Sequence, residues 1–146
     1  MKIGIDASRA FGEEKTGTER YSYEVISRLI ALPEARKHWW ILYTGINFQE
    51  TRNKIQTRSN VQIIQIPMKY LWTQVGLAYR TWVDDLDALW VPAHTLPVLR
   101  KPGIKTVVTI HGIEYEWLPA YENVLQRWYL PLSTKYAMRS ADKVIA

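Results

Sequence analysis

Apolar residues along this chain alternate between two periods. KIGIDAS (2–8) is a short apolar run that predicts a first strand. TGTERYSYEVISRLIALPE (16–34) follows with helical spacing: Tyr21, Val25, Leu29 and Leu32 share one face. Thr16 and Glu19 have the spacing of a capping box, which places Gly17 and Thr18 in the first turn, and Pro33 stops the helix. HWWILYTG (38–45) is apolar without alternation, as a strand buried on both faces should be. A polar segment, Asn47 to Asn60, leads to VQIIQIP (61–67), a more alternating third strand expected nearer a sheet edge.

KYLWTQVGLAYRTW (69–82) is helical again, with Leu71, Val75, Tyr79 and Trp82 on one face and Gly76 weakening the run. Ala88 to Pro92 supplies a fourth strand, and KTVVTIHGIEYEW (105–117) opens with the fifth. From Glu122 to Arg139, residues Leu125, Trp128, Tyr129, Leu132 and Tyr136 share a face, and Pro131 should kink that helix or open a second one. DKVIA (142–146) begins a sixth strand. Because it ends inside an apolar run, the sequence is expected to continue in a longer form. Strands alternating with helices predict an α/β fold: one Rossmann-like domain over residues 1–146, a doubly wound and mostly parallel sheet.

Composition narrows the class. Hydrophobic residues at 47% and charged residues at 23% exclude a disordered chain. No apolar run reaches the roughly 20 residues that span a bilayer, and Met1-Lys2 leads straight into the first strand with no room for a signal peptide. With no cysteine as well, a cytoplasmic location is expected. The net charge of +5 suits an anionic partner, yet no block of five like charges occurs. A nucleic-acid reading therefore rests on charge alone and ranks last. The aromatic helices, Tyr70 to Trp82 and Leu125 to Tyr136, suit peripheral contact with a membrane surface, but packing over the sheet is the favoured reading of their apolar faces.

In an open α/β sheet, ligands bind outside the carboxyl ends of the strands. Those ends carry Asp6, Ser8 and Arg9; then Thr44-Gly45; Pro67-Met68-Lys69; Pro92-Ala93-His94-Thr95; and His111-Gly112-Ile113-Glu114. His94 and His111 thus point to the ligand end, whereas His38, Arg100, Lys101 and Lys105 belong to the other. The helix start at Gly17-Thr18 is a candidate anion site, since its N–H groups and the positive end of the helix dipole face outward there. On local sequence the simpler reading of that turn is a cap. A strand-end histidine is often held by a backbone carbonyl; Gly112 favours a ligand at His111 because it leaves room for close approach. Asp84, Asp85 and Asp87 read as a loop entering the far end of a strand. No metal-ligand cluster, dinucleotide fingerprint or P-loop is present.

Taken as an ordered set, KIGIDASR, KTGTERYSYEVISRL, WWILYTG, LWTQ, ALWVPAHTLPVL, KTVVTIHGIEYEWLP and YAMRSADKVIA resemble the N-terminal half of a family 4 glycosyltransferase of the GT-B fold. The resemblance implies two Rossmann-like domains around a cleft. The donor, a nucleotide-sugar used as co-substrate with no cofactor, is held mainly by a C-terminal domain, and a saccharide or lipid-linked acceptor mainly by the N-terminal one. Transfer is expected to proceed with retention and without a metal. It places Gly17, with Thr18, near the donor diphosphate and His111 near the transferred sugar. Arg9, Lys15, Arg20, Lys69, His94 and Glu114 are candidates for acceptor or phosphate contacts. Two positions depart from the pattern: Glu19 stands where many relatives have a second glycine, and Gly112 where many have aspartate. The alternative is a non-catalytic Rossmann-like module that binds a saccharide or nucleotide.

Overall fold

The computed structural model describes residues 1–11, 17–45, 58–68, 70–112 and 124–146, excluding the side chains of 124–127. In chain order the elements are β1 (Lys2–Asp6), α1 (Gly17–Ala31), a 3₁₀ turn (Pro33–Lys37), β2 (Trp39–Thr44) and β3 (Val61–Gln65). A π-helical turn (Trp72–Leu77) then runs into α2 (Ala78–Val83), followed by β4 (Ala88–Val91), β5 (Lys105–Thr109), α3 (Val124–Ser140) and β6 (Lys143–Ile145). The six strands form one sheet in the order β3-β2-β1-β4-β5-β6, every pair parallel. This is a doubly wound, Rossmann-like α/β arrangement whose strand order reverses between β1 and β4. The sheet is wholly rather than mostly parallel, and the alternating strand β3 lies at one edge as its pattern predicts.

Strand alternation builds two cores. Ile5, Trp40, Leu42 and Trp90 face α1, where Ile26 and Ile30 cover them. Ile41, Tyr43, Leu89, Val91 and Val108 point the other way, beneath Leu77 before α2 and Ala137 of α3. Both faces of the inner strands are therefore dry, which is why HWWILYTG carries no polar alternation.

The helices correct the sequence expectation about which faces are buried. In α1 the buried line is Ser22, Ile26 and Ile30; Tyr21, Val25 and Leu29 flank it half-buried, and Leu32 is exposed. The second helical segment is turned outward more completely: Leu71, Val75, Tyr79 and Trp82 are all exposed, while Gly76, Leu77, Ala78 and Thr81 are buried. The reason is close packing. A Cβ at position 76 would stand 2.7 Å from Ile66 Cγ2, so only glycine lets the wide π turn lie this near the sheet. In α3, Trp128, Tyr129 and Leu132 are exposed and Tyr136 half-buried, whereas Ser133, Thr134 and Ala137 are buried. Leu125's side chain is outside the described residues. Small side chains thus face the sheet and aromatic ones face away. Pro131 lies within α3, which neither ends nor restarts there.

The aspartates of the far end are structural, as expected of a strand-entry loop. Asp84 accepts hydrogen bonds from Tyr43 Oη and from two Arg80 nitrogens, each at 2.7 Å. Asp85 pairs with Lys101 at 2.7 Å, and Asp87 accepts from the Lys2 N–H at 2.6 Å. Asp142 ties the outermost strand: it accepts from the Thr106 N–H at 2.8 Å, Thr106 Oγ1 at 2.9 Å and Lys105 Nζ at 3.1 Å.

Those donors favour the charged form, the Thr106 N–H most of all, and hold Asp142 down at about 2 from an ordinary 3.8. A depressed carboxylate pKa contributes stability above the unfolded value and loses it as pH falls toward the folded one. Asp142→Asn is therefore expected to lower the melting temperature at neutral pH, with the gap to the parent closing as pH falls from 3.8 toward about 2. Thermal melts across that range check it; a pH-independent gap would count against the assignment.

Candidate functional site at the strand-order reversal

The crevice outside the carboxyl ends of β1 and β4 brings together segments far apart in sequence. Beyond β1, Ser8 turns back on Asp6, donating to Asp6 Oδ1 from its N–H at 3.0 Å and from Oγ at 2.6 Å. Asp6 is buried, and burial pushes its carboxyl above the usual range despite the opposing Ser8 bonds and the nearby Arg9 charge. The Trp72 indole N–H lies close enough to favour the charged form without reaching hydrogen-bond geometry. A buried acid held in this state costs stability once pH exceeds its unfolded value of 3.8. Asp6→Asn keeps the acceptor for Ser8 and removes that cost. It is expected to raise the melting temperature at neutral pH, with the gain shrinking as pH falls to 3.8; a lower neutral melting point in calorimetry would contradict this.

The Pro92 carbonyl beyond β4 is the hub. Ser22 Oγ donates to Thr18 O at 2.9 Å and, more weakly, to Pro92 O at 3.4 Å, joining the first turns of α1 to the end of β4. His111 Nε2 lies 3.1 Å from the same Pro92 oxygen. A carbonyl only accepts, so Nε2 carries the proton, and a neutral His111 is left with Nδ1 as an acceptor. Tyr21 meets the His111 ring edge-to-face at 4.6 Å, and the His94 ring lies 5.8 Å away. Thr95, next to His94, is 3.3 Å from Thr73 Oγ1 in the π turn.

Gly112 has a backbone reason of its own: its φ of 141° is a conformation that side chains disfavour. At Gly17, by contrast, an added Cβ would meet nothing within 4 Å, so the described packing makes no demand for glycine there.

Thr18, through Ser22, and His94, through the His111 ring, are therefore linked with His111 around the Pro92 carbonyl, with Arg9 near Asp6 beyond β1 and Gly17 next to Thr18 at the α1 start. Arg20 is exposed and forms no ion pair with another described residue. Lys15, Lys69 and Glu114 lie outside the described residues, as does Thr16 of the predicted capping box. Tyr21 was hidden in the helical periodicity as a core position; its place one turn after Gly17 is the signal that could have flagged it. Asp6 and Trp72 gave no local sign of meeting. Among the described residues no three His, Asp or Glu side chains gather as a metal site would need.

A cleft of about 390 Å³ lies at the opposite end of the sheet, lined in part by Arg100, Lys101, Lys105, Tyr136 and Asp142. Its charged groups are already engaged. Arg100 donates to Ser140 O at 2.7 Å and Tyr136 Oη at 2.9 Å, while the two lysines pair with Asp85 and Asp142. It reads as a structural seam. No protein-family model matches the chain, and no curated protein matches it in sequence.

Proposed function

We propose that this chain is the acceptor-side domain of a glycosyltransferase that uses a nucleotide-sugar, completed by a second α/β domain that grips the donor. The observation that carries the reading is the meeting of His111 with Ser22, one turn into the helix that starts at Gly17-Thr18, at the Pro92 carbonyl beside the strand-order reversal. In such a transfer, negative charge grows on the departing diphosphate, and amide N–H groups at a helix start are suited to receive it. Glycine at 17 adds no side chain to that turn, which suits close approach of a phosphate to the backbone. His111, with Nε2 committed to Pro92, offers Nδ1 to a sugar hydroxyl. Retention and metal independence follow from the resemblance.

The deciding experiment assays the complete protein against a panel of nucleotide-sugars beside residues 1–146 alone. Turnover by the complete protein and none by the fragment is expected; robust turnover by the fragment would refute the division of labour. The second reading, a binding module without turnover, draws on Gly112 standing where the resembled family carries aspartate. It predicts saccharide or nucleotide binding by calorimetry with no transfer.

A further inference from the structure

The outward-facing aromatic residues form a surface whose chemistry is specific. The π turn and α2 expose Leu71, Val75, Tyr79 and Trp82; the loop after β4 exposes Val98 and Leu99; α3 exposes Trp128 and Leu132, at 69% and 64%. These elements are stitched side by side. Gln74 accepts from the Val98 N–H at 3.0 Å and donates to Leu96 O at 3.2 Å and Tyr129 Oη at 3.4 Å. The Trp82 indole donates to Leu99 O at 3.1 Å. A monomer rarely leaves so many large apolar side chains together in water.

Charge identifies the occupant. Across residues 70–85, 96–101 and 124–140 six basic residues (Arg80, Arg100, Lys101, Arg127, Lys135 and Arg139) stand against two acidic ones. Asp84 and Asp85, just past α2, are taken by Arg80 and Lys101. Lys135 and Arg139 are exposed on the same side of α3 as Trp128 and Leu132, and neither pairs with another described residue. By contrast α1, over the other core, mixes Glu19 and Glu24 with Arg20 and Arg28. A second copy of this surface would set like charges against one another. Amphipathic aromatics with a basic excess, whose two acids are already paired, match the headgroup region of an anionic bilayer. Among the described residues no helix is long and apolar enough to cross a membrane, so contact would be from the side.

We infer that the face formed by the π turn, α2, the loop 96–101 and α3 docks flat on an anionic lipid surface. This does not depend on the sugar-transfer reading and would stand if that reading failed. The test is co-sedimentation of the complete protein with phosphatidylcholine vesicles, with and without phosphatidylglycerol, at low and high salt. Binding is expected only with phosphatidylglycerol and should weaken with salt. Lys135→Gln and Arg139→Gln should each reduce partitioning about 5-fold. Trp128→Ser with Leu132→Ser should reduce it about 10-fold or more, with unchanged melting because both side chains are already exposed. Tryptophan quenching by brominated acyl chains should fall in the Trp128 variant. Binding insensitive to Trp128 and Leu132 would overturn the proposal. So would an absence of vesicle binding, whether or not sedimentation finds dimers that the same double variant dissolves; such dimers would assign the face to a second copy.

Discussion

Replacing Arg80 with methionine is expected to destabilise the chain by about 2–3 kcal/mol, the largest loss among single exposed-to-buried charge changes here. The Arg80 and Asp84 side chains are only 23% and 12% exposed, and their contact is two-pronged. Removing the guanidinium leaves a nearly buried carboxylate with Tyr43 Oη as its remaining side-chain partner. Arg80 also stands 5.9 Å from the centre of the Tyr43 ring, so the fully buried tyrosine loses a cationic neighbour. Burial first, then Asp84, already pushes the Tyr43 hydroxyl well above its usual range, which keeps it a proton donor to the carboxylate. Adding Asp84→Asn to Arg80→Met should recover about half of the loss, because the unpaired charge is then gone. Chemical denaturation of the two single variants and the double variant measures this. Strictly additive losses would show that the pair is not coupled.

His111→Ala in the complete protein is expected to reduce kcat/KM for nucleotide-sugar turnover by about 100-fold or more, the usual scale for one preorganised polar group at a reacting centre. Stability should fall by only about 1 kcal/mol, the value of one hydrogen bond to a carbonyl that Ser22 also reaches. Ser22→Ala supplies the control, since it removes the other bond to Pro92 without touching the imidazole. If Ser22→Ala costs as much activity as His111→Ala, the histidine serves only to hold the loop. If His111→Ala keeps full activity, its assignment to the sugar fails.

The strands were legible because a strand covered on both sides must be apolar wherever it is cut. Ile41, Leu42 and Tyr43 are buried whichever helix lies above them. That His94 and His111 share one end of the sheet was legible too, since parallel strands put their carboxyl ends on one side and these histidines follow two of them. Helix faces were not. Periodicity finds an apolar stripe, but Leu71, Val75, Tyr79 and Trp82 are such a stripe and point to solvent, because Gly76, Ala78 and Thr81 let the backbone come closer to the sheet. Which of two faces packs depends on the shape it meets, and that shape belongs to other strands.

The site divides in the same way. KTVVTIHG states locally that a strand ends and that a glycine follows the histidine; the positive φ of Gly112 is a local demand of that turn. The proton on His111 Nε2, however, is set by Pro92, 19 residues away, and the link from α1 to that carbonyl spans 70 residues. Asp6 becomes a raised acid only through its burial in the folded chain, which outweighs the opposing pull of Ser8, Arg9 and the distant Trp72 indole. Local sequence is sufficient for strand, turn and polarity, since those depend on neighbours along the chain. Protonation, burial and the outward turn of the aromatic helices depend on neighbours in space.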